Sequence, residues 1–269
     1  MSRDRAAILN QVYYDQPSVG REDYWRYMAA PRFRAATILR CLGQEEVSSI
    51  VDLGCGGGLL LAEIAERFPA AKLAGVDLSP RQVDDNRARL PGIEWCAVDL
   101  DRSLDDTDAL ASMAGRFAAI VASEILEHLD HPDVFLRNAR RLAAPGGRLV
   151  LSTQSGPIRE TEMRVGHRRH WTRADLNDAL ASTGWTAEQT WNAGFPFHDL
   201  SKWWANRDPD ASMRRFGGDR YGRGERLICW ALRVAFRFNS RRRGAQLFTI
   251  ARAAASTDLR TVPAPDRTK

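Results

Sequence analysis

From Ser49 onward, short runs of aliphatic and β-branched residues alternate with stretches in which apolar residues return at helical spacing. That alternation predicts a mostly parallel sheet with helices on both faces, an α/β architecture. Strands are expected at Ser49–Leu53, Lys72–Val76, Ile93–Val98, Phe117–Ala122, Arg148–Thr153 and Trp185–Trp191, with Ala245–Ala253 as the seventh. Between them the periodicity predicts helices over Leu59–Phe68, Asp133–Leu142 and Thr172–Thr183. The last of these opens on a Thr cap with Asp175 three residues on, and closes at Gly184. Ala144-Pro145-Gly146-Gly147 is a strong breaker, expected to end one helix and launch the fifth strand.

Outside this alternation the pattern changes. Residues 1–47 read as helical and carry Tyr13, Tyr14, Tyr24, Trp25, Tyr27 and Phe33, which suits a lid over a ligand or a helix pair packed on the sheet. The core then runs over 48–193, a helical insertion or cap over 194–244, the final strand over 245–254, and a disordered tail is expected over 255–269. Within the insertion, Glu225–Phe238 is almost wholly apolar apart from Arg226, Arg233 and Arg237, which share a helical face. So wide an apolar surface calls for burial against the sheet, a partner subunit or lipid. Packing on its own domain is the expectation, and a homodimer contact is the next.

At 269 residues and 44% hydrophobic, the chain suits one large domain carrying an insertion. No run reaches membrane-spanning length, and Met1–Leu9 is too charged for a secretory signal. Cys41, Cys55, Cys96 and Cys229 are scattered without zinc spacing, and Cys55 and Cys96 read as buried thiols. A cytoplasmic enzyme is the expectation. The net charge of +5 is modest, but bases far outnumber acids between Lys202 and Arg243. That segment suits an anionic substrate, nucleic acid, a membrane surface or simply a solvated exterior.

The chemistry concentrates where strands end. Ile50-Val51-Asp52-Leu53-Gly54-Cys55-Gly56-Gly57-Gly58 runs a buried strand into an acid and then a glycine-rich turn before a helix. Such a turn lets backbone approach a ligand closely. A nicotinamide fingerprint would place Gly or Ala at the position of Leu59, so an NAD-dependent oxidoreductase is disfavoured. Asp77 ends the second strand and suits a carboxylate gripping two ribose hydroxyls, while Asp99 ends the third. The D-x-G-x-G-x-G run, the two later acids and Leu142-Ala143-Ala144-Pro145-Gly146-Gly147 together resemble class I S-adenosylmethionine-dependent methyltransferases. The resemblance implies a Rossmann-like seven-stranded sheet and an S-adenosylmethionine cofactor. It would be bound by Asp52, Gly54, Cys55, Gly56, Gly58, Asp77, Leu78, Asp99, Leu100 and Ser123, with Leu78 and Leu100 sandwiching the adenine.

Ser123-Glu124-Ile125-Leu126-Glu127-His128-Leu129 follows the fourth strand, and its E-x-x-E-H spacing puts two carboxylates and an imidazole on one turn. Downstream, Gly166-His167-Arg168-Arg169-His170-Trp171-Thr172-Arg173 adds two histidines. The first motif is similar to that of ubiquinone-pathway O-methyltransferases. Joined to a later H-x-x-x-W-T-R, it resembles the small-RNA 3′-terminal ribose methyltransferases, where the set holds magnesium. Three readings stay open, and in the plainest of them Glu124 and Glu127 only cap or salt-bridge and His128 packs. Glu124, Glu127, His128 and His167 bind Mg2+ or Mn2+ that acidifies a hydroxyl, or His128 acts as a metal-free base oriented by Glu127, with His167 nearby. Gly194-Phe195-Pro196-Phe197 ahead of a late seventh strand resembles bacterial type-11-like methyltransferases. The expectation is methyl transfer to a hydroxyl of a small natural-product, quinone or sugar-like acceptor. RNA ribose methylation and N- or C-methylation are the alternatives, and nucleic acid is the less expected partner.

Overall fold

The computed structural model describes residues 22–43, 46–103, 108–218 and 220–254. Tyr13, Tyr14 and the tail expected over 255–269 lie outside the described residues. Seven strands form one sheet in the order β3-β2-β1-β4-β5-β7-β6. They are β1 (Ser49–Leu53), β2 (Lys72–Asp77), β3 (Glu94–Ala97), β4 (Phe117–Ser123), β5 (Ala143–Gln154), β6 (Trp185–Ala193) and β7 (Gln246–Ala253). β1 to β5 run parallel, and β7 is antiparallel to both β5 and β6. Strand order reverses between β1 and β4, which opens a crevice at their carboxyl ends.

The central strands β1 and β4 are apolar on both sides because helices cover both sides. Alternate residues of β1 serve different layers: Val51 and Leu53 join one core cluster and Ile50 the other. On one face lie α1 (Glu22–Tyr27), α2 (Ala29–Leu42), α3 (Leu59–Arg67) and α4 (Pro80–Arg89). Short α5 (Asp108–Ala111) precedes β4, and α6 (Pro132–Leu142) follows it. α6 buries Phe135, Leu136, Ala139 and Leu142 at helical spacing on the second face. α7 (Glu160–Arg164) and α8 (Arg173–Ser182) lead into β6, and Thr172 caps α8 by accepting from the Asp175 amide.

Two expectations change, and for the N-terminal helices the packed one of the two open readings describes α2. The Ala144-Pro145-Gly146-Gly147 breaker does not precede the fifth strand but lies within it. Phe117 pairs with Ala143 and Ala119 with Arg148, so β5 absorbs the extra residues as a bulge. The N-terminal lid is, over α2, a structural layer: Ala35, Ile38 and Leu42 are buried beside Ile50, Val121 and Val150. The insertion folds as α9 (Phe197–Ala205), α10 (Pro209–Phe216) and α11 (Arg223–Phe236). α11 buries Cys229 and Phe236 but leaves Leu227, Trp230 and Val234 exposed, as is Phe238 just beyond it, so its own domain covers only part of it. No helix among the described residues is long and apolar enough to cross a membrane.

Candidate active site

The glycine turn between β1 and α3 is held from below by the end of β2. Gly54 and Cys55 both donate to the Val76 carbonyl, at 2.8 and 3.0 Å. Gly56 donates to Asp77 Oδ2 at 2.7 Å, while Asp77 Oδ1 accepts from the Ser79 amide at 3.0 Å. Asn86 and Arg89 of α4 donate to the Gly56 and Gly57 carbonyls and brace the loop from the side. Two glycines are required by geometry. Gly54 has φ 76° and a Cβ there would meet Ile125 Cδ1 at 2.5 Å; Gly58 has φ 65° and would strike Trp95 at 2.9 Å. Cys55 is buried and its thiol is pushed upward by that burial, which suits a packing role.

The acids line the crevice in a graded way. Asp52 is buried, and burial followed by the charge of Asp77 pushes its carboxyl up to about 7. A cation beside it would reverse that shift, which fits the ammonium end of an amino-acid-bearing cofactor. Asp99 is half-exposed, accepts from the Asp101 amide at 3.0 Å and pairs with Arg102. Leu78 is 50% exposed at the crevice edge, whereas Leu100 is 3% exposed within the apolar core. Of the expected Leu78–Leu100 pair, Leu78 thus stands open at the crevice while Leu100 lies in the core cluster that holds Val98 and Leu110.

Beyond β4 the chain turns sharply. Glu124 has φ 56°, the one positive value at a non-glycine residue among those described, and its amide donates to the Ser152 carbonyl at 2.9 Å. The turn points the two glutamates to different neighbours. Glu124 pairs with Arg34 of α2 at 3.6 Å, and accepts from the amides of Gln154 and Gln246. Burial raises its pKa, but Arg34 and the two amides outweigh that and hold it at about 2. Ser123 Oγ lies 2.9 Å from Ser152 Oγ, alongside the same carboxylate.

Glu127 sits in a short 3₁₀ turn (Leu126–His128) and is fully buried. Its Oε2 accepts from Thr153 at 2.7 Å, whereas Oε1 has no hydrogen-bond partner. Burial, then the nearby Glu124 charge, drives its pKa well above the usual carboxylate range. The downstream loop docks here through main chain: the Arg168 and Arg169 amides both donate to the Glu127 carbonyl. That docking brings His167 beside His128, their rings 4.8 Å apart at 81°. Burial lowers His128 to about 4, and burial together with His128 lowers His167 to about 3, so both imidazoles are neutral near pH 7.

A hydrogen-bond chain orients the second imidazole. His170 Nδ1 lies 2.9 Å from the Gly156 carbonyl, which can only accept, so a neutral His170 carries its proton there. Its Nε2 then accepts from His167 Nδ1 at 2.9 Å, leaving a lone pair on His167 Nε2. Beyond His170, Glu162 pairs with Lys202 of α9 at 2.5 Å, and Lys202 also donates to Gln154 at 2.8 Å.

Of the four expected metal ligands, Glu127, His128 and His167 present donor atoms within 4.8 Å of one another, while the Glu124 carboxylate is spent on Arg34, Gln154 and Gln246. The partnerless Glu127 oxygen and two neutral imidazoles fit a divalent cation better than an empty site. Sequence reading missed Arg34, Asn86, Thr153, Gln154, Lys202 and Gln246. Polar residues inside expected strands, as at Thr153 and Gln246, are the one local sign that could have exposed part of this set.

A family model described as methyltransferase domain matches residues 24–190. Ubiquinone biosynthesis O-methyltransferase of Xanthomonas oryzae pv. oryzae is 39% identical over 105 residues, which is 39% of this chain and 42% of that protein. The match thus spans less than half of that relative's length. Among solved structures, the [4+2]-cyclase SpnF is similar at a TM-score of 0.59 and 18% identity, covering 95% of this chain and 97% of that one. Burkholderia thailandensis 1,6-didemethyltoxoflavin-N1-methyltransferase, solved with S-adenosylhomocysteine, is similar at a TM-score of 0.57 and 17% identity over 94% and 91% of the two chains. These two likenesses show the fold. With the family model covering most of the sheet and the glycine turn in place, the chain belongs to the methyltransferase-domain family.

Proposed function

We propose that the protein methylates a hydroxyl of a small-molecule acceptor, and that Glu127, His128 and His167 hold a divalent cation beside that hydroxyl. The cofactor supplies a methyl group already activated by positive sulfur, and the cation, when bound, lowers the pKa of the hydroxyl. The chain's own residues do the rest. Asp52 would hold the cofactor's ammonium and Asp77 its ribose hydroxyls, with the turn at Gly54–Gly58 leaving room for it against the backbone. Rigid placement of donor and acceptor then supplies most of the rate.

One observation carries this reading: Glu127 Oε1 is buried without a partner beside two imidazoles that stay neutral at pH 7. A buried carboxylate oxygen left unsatisfied is costly, and a cation would compensate it. The same values weaken the metal-free reading with His128 as base, because a group at about 4 accepts a hydroxyl proton poorly. Two imidazoles and one carboxylate favour Mn2+, which takes nitrogen donors more readily, over Mg2+. The O-methyltransferase name of the Xanthomonas relative supports a hydroxyl acceptor, while the Burkholderia neighbour acts at nitrogen.

The test is calorimetric titration of EDTA-stripped protein with Mn2+. One equivalent is expected to bind, and Glu127→Gln is expected to weaken it by more than the ~10–100-fold that a lost outer-shell contact costs. Methyl transfer from labelled cofactor to a panel of phenolic acceptors should stop in EDTA and return with Mn2+. Undiminished transfer in the stripped enzyme would remove the cation from the proposal and leave Glu127 as the remaining candidate base.

A further inference from the structure

The insertion carries a surface that the methyl-transfer chemistry does not use. Leu227, Trp230 and Val234 of α11 and Phe238 in the turn just after it recur at i, i+3, i+7 and i+11, and Leu227, Trp230 and Phe238 are 64%, 63% and 72% exposed. This stripe lies on the side away from Cys229 and Phe236, which are buried. Arg226, Arg233 and Arg237 flank it on a neighbouring face. Arg226 reaches Asp23 and lies over the Tyr27 ring, and Arg233 Nη1 reaches the Arg26 carbonyl, so α1 holds that flank in place. α9 packs against α11, with His198 edge-on to Phe236, and presents Leu200, Trp203 and Trp204 to solvent.

We propose that this cap docks the protein onto an anionic lipid surface. Charge decides between the possible occupants. From Lys202 to Arg243 the sequence holds twelve Lys and Arg against four Asp and Glu, a net +8 where the whole chain carries +5. A second copy meeting through this patch would, in a two-fold contact, set the same positive segment against itself. An anionic bilayer complements the charge and accepts the side chains between the charges. Tryptophan and phenylalanine sit at the acyl boundary, and arginine stems lie along it with the guanidinium among phosphates. At fourteen residues, Arg223–Phe236 is shorter than the ~20 needed to span a bilayer, so the helix lies in the surface. Leu227 and Val234 offer no stacking face, which separates this surface from a single-strand nucleic-acid platform.

The docking is independent of the acceptor, and its position gives it a consequence. α9 holds Lys202 against Glu162 and Gln154 beside the histidine cluster while exposing Trp203 and Trp204. One helix therefore links the lipid-facing surface to the acceptor side of the crevice.

Flotation of the full chain, with residues 1–21 present to compete for the stripe, tests the proposal. The probes are phosphatidylcholine vesicles with and without phosphatidylglycerol. Binding is expected to rise at least about tenfold with the anionic lipid and to weaken steeply between low and high salt. Trp230→Ser with Phe238→Ser, both exposed and thus spared by the core, should cut it at least about tenfold with S-adenosylhomocysteine affinity unchanged. Arg237→Gln, Arg241→Gln and Arg242→Gln together should cost up to about a hundredfold at low salt. Equal partitioning of wild type and both variants overturns the proposal. So does a dimer in sedimentation that the Trp230 and Phe238 substitutions dissociate without any vesicle binding, or retention of single-stranded RNA in place of vesicles.

Discussion

Buried at the end of β1 with Asp77 as its neighbour, Asp52 is held up to about 7, so the free protein carries it half protonated at neutral pH. Its folded value lies above the usual 3.8, so its contribution to stability is full below about 4 and is lost as pH rises through 7. A bound ammonium reverses the balance by favouring the carboxylate. Affinity for S-adenosylhomocysteine is therefore expected to rise about tenfold between pH 6 and pH 8, with proton release near 7. Asp52→Asn should flatten that profile and weaken binding, while stabilising the free protein above pH 7 by up to about 4 kcal/mol. Calorimetry across that range, in buffers of differing ionisation heat, reads both effects; a flat wild-type profile would contradict the assignment. The glycines and the acids at strand ends were legible at this scale because each states a local backbone or charge requirement. The fate of Glu124 was not. Gln246 lies 122 residues away, and nothing near Glu124 announces that its carboxylate is taken.

The glycine turn and the E-x-x-E-H turn meet where Gly54 faces Ile125, and this contact makes one unit of the two motifs. A methyl group at Gly54 would meet Ile125 Cδ1 at 2.5 Å, whereas one at Gly56 meets nothing within 4 Å. Both positions have positive φ, so each substitution carries a backbone cost of about 1 kcal/mol, and Gly54→Ala adds overpacking of about 1–3 kcal/mol. Urea unfolding should show Gly54→Ala as the costlier change by that margin, and equal losses would deny the packed contact. The strands were readable because buried parallel strands spell continuous apolar runs. The β5 bulge was not, since Pro145 and Gly146-Gly147 look the same whether they end a strand or are absorbed in one. α11 misled for a different reason: periodicity reports that a helix has an apolar face but not what covers it.

At the level of the whole molecule, the candidate site is closed only by distant parts of the chain. α2 brings Arg34 to Glu124, β7 brings Gln246, and α9 brings Lys202 to Glu162. The cofactor crevice by contrast needs only the first half of the sheet, which lies within the residues that the family model matches. This division explains why cofactor and fold were readable early and the acceptor was not. The similar folds of a [4+2]-cyclase and an N-methyltransferase show how freely the same sheet accepts other chemistry. The assignment therefore stands or falls on the carboxylate-lined crevice itself. Calorimetric titration with S-adenosylhomocysteine should give one site, and Asp77→Ala should weaken it at least about a hundredfold, as expected for losing two hydrogen bonds to a charged acceptor. No heat with the wild-type protein, or equal affinity in the variant, would contradict the account.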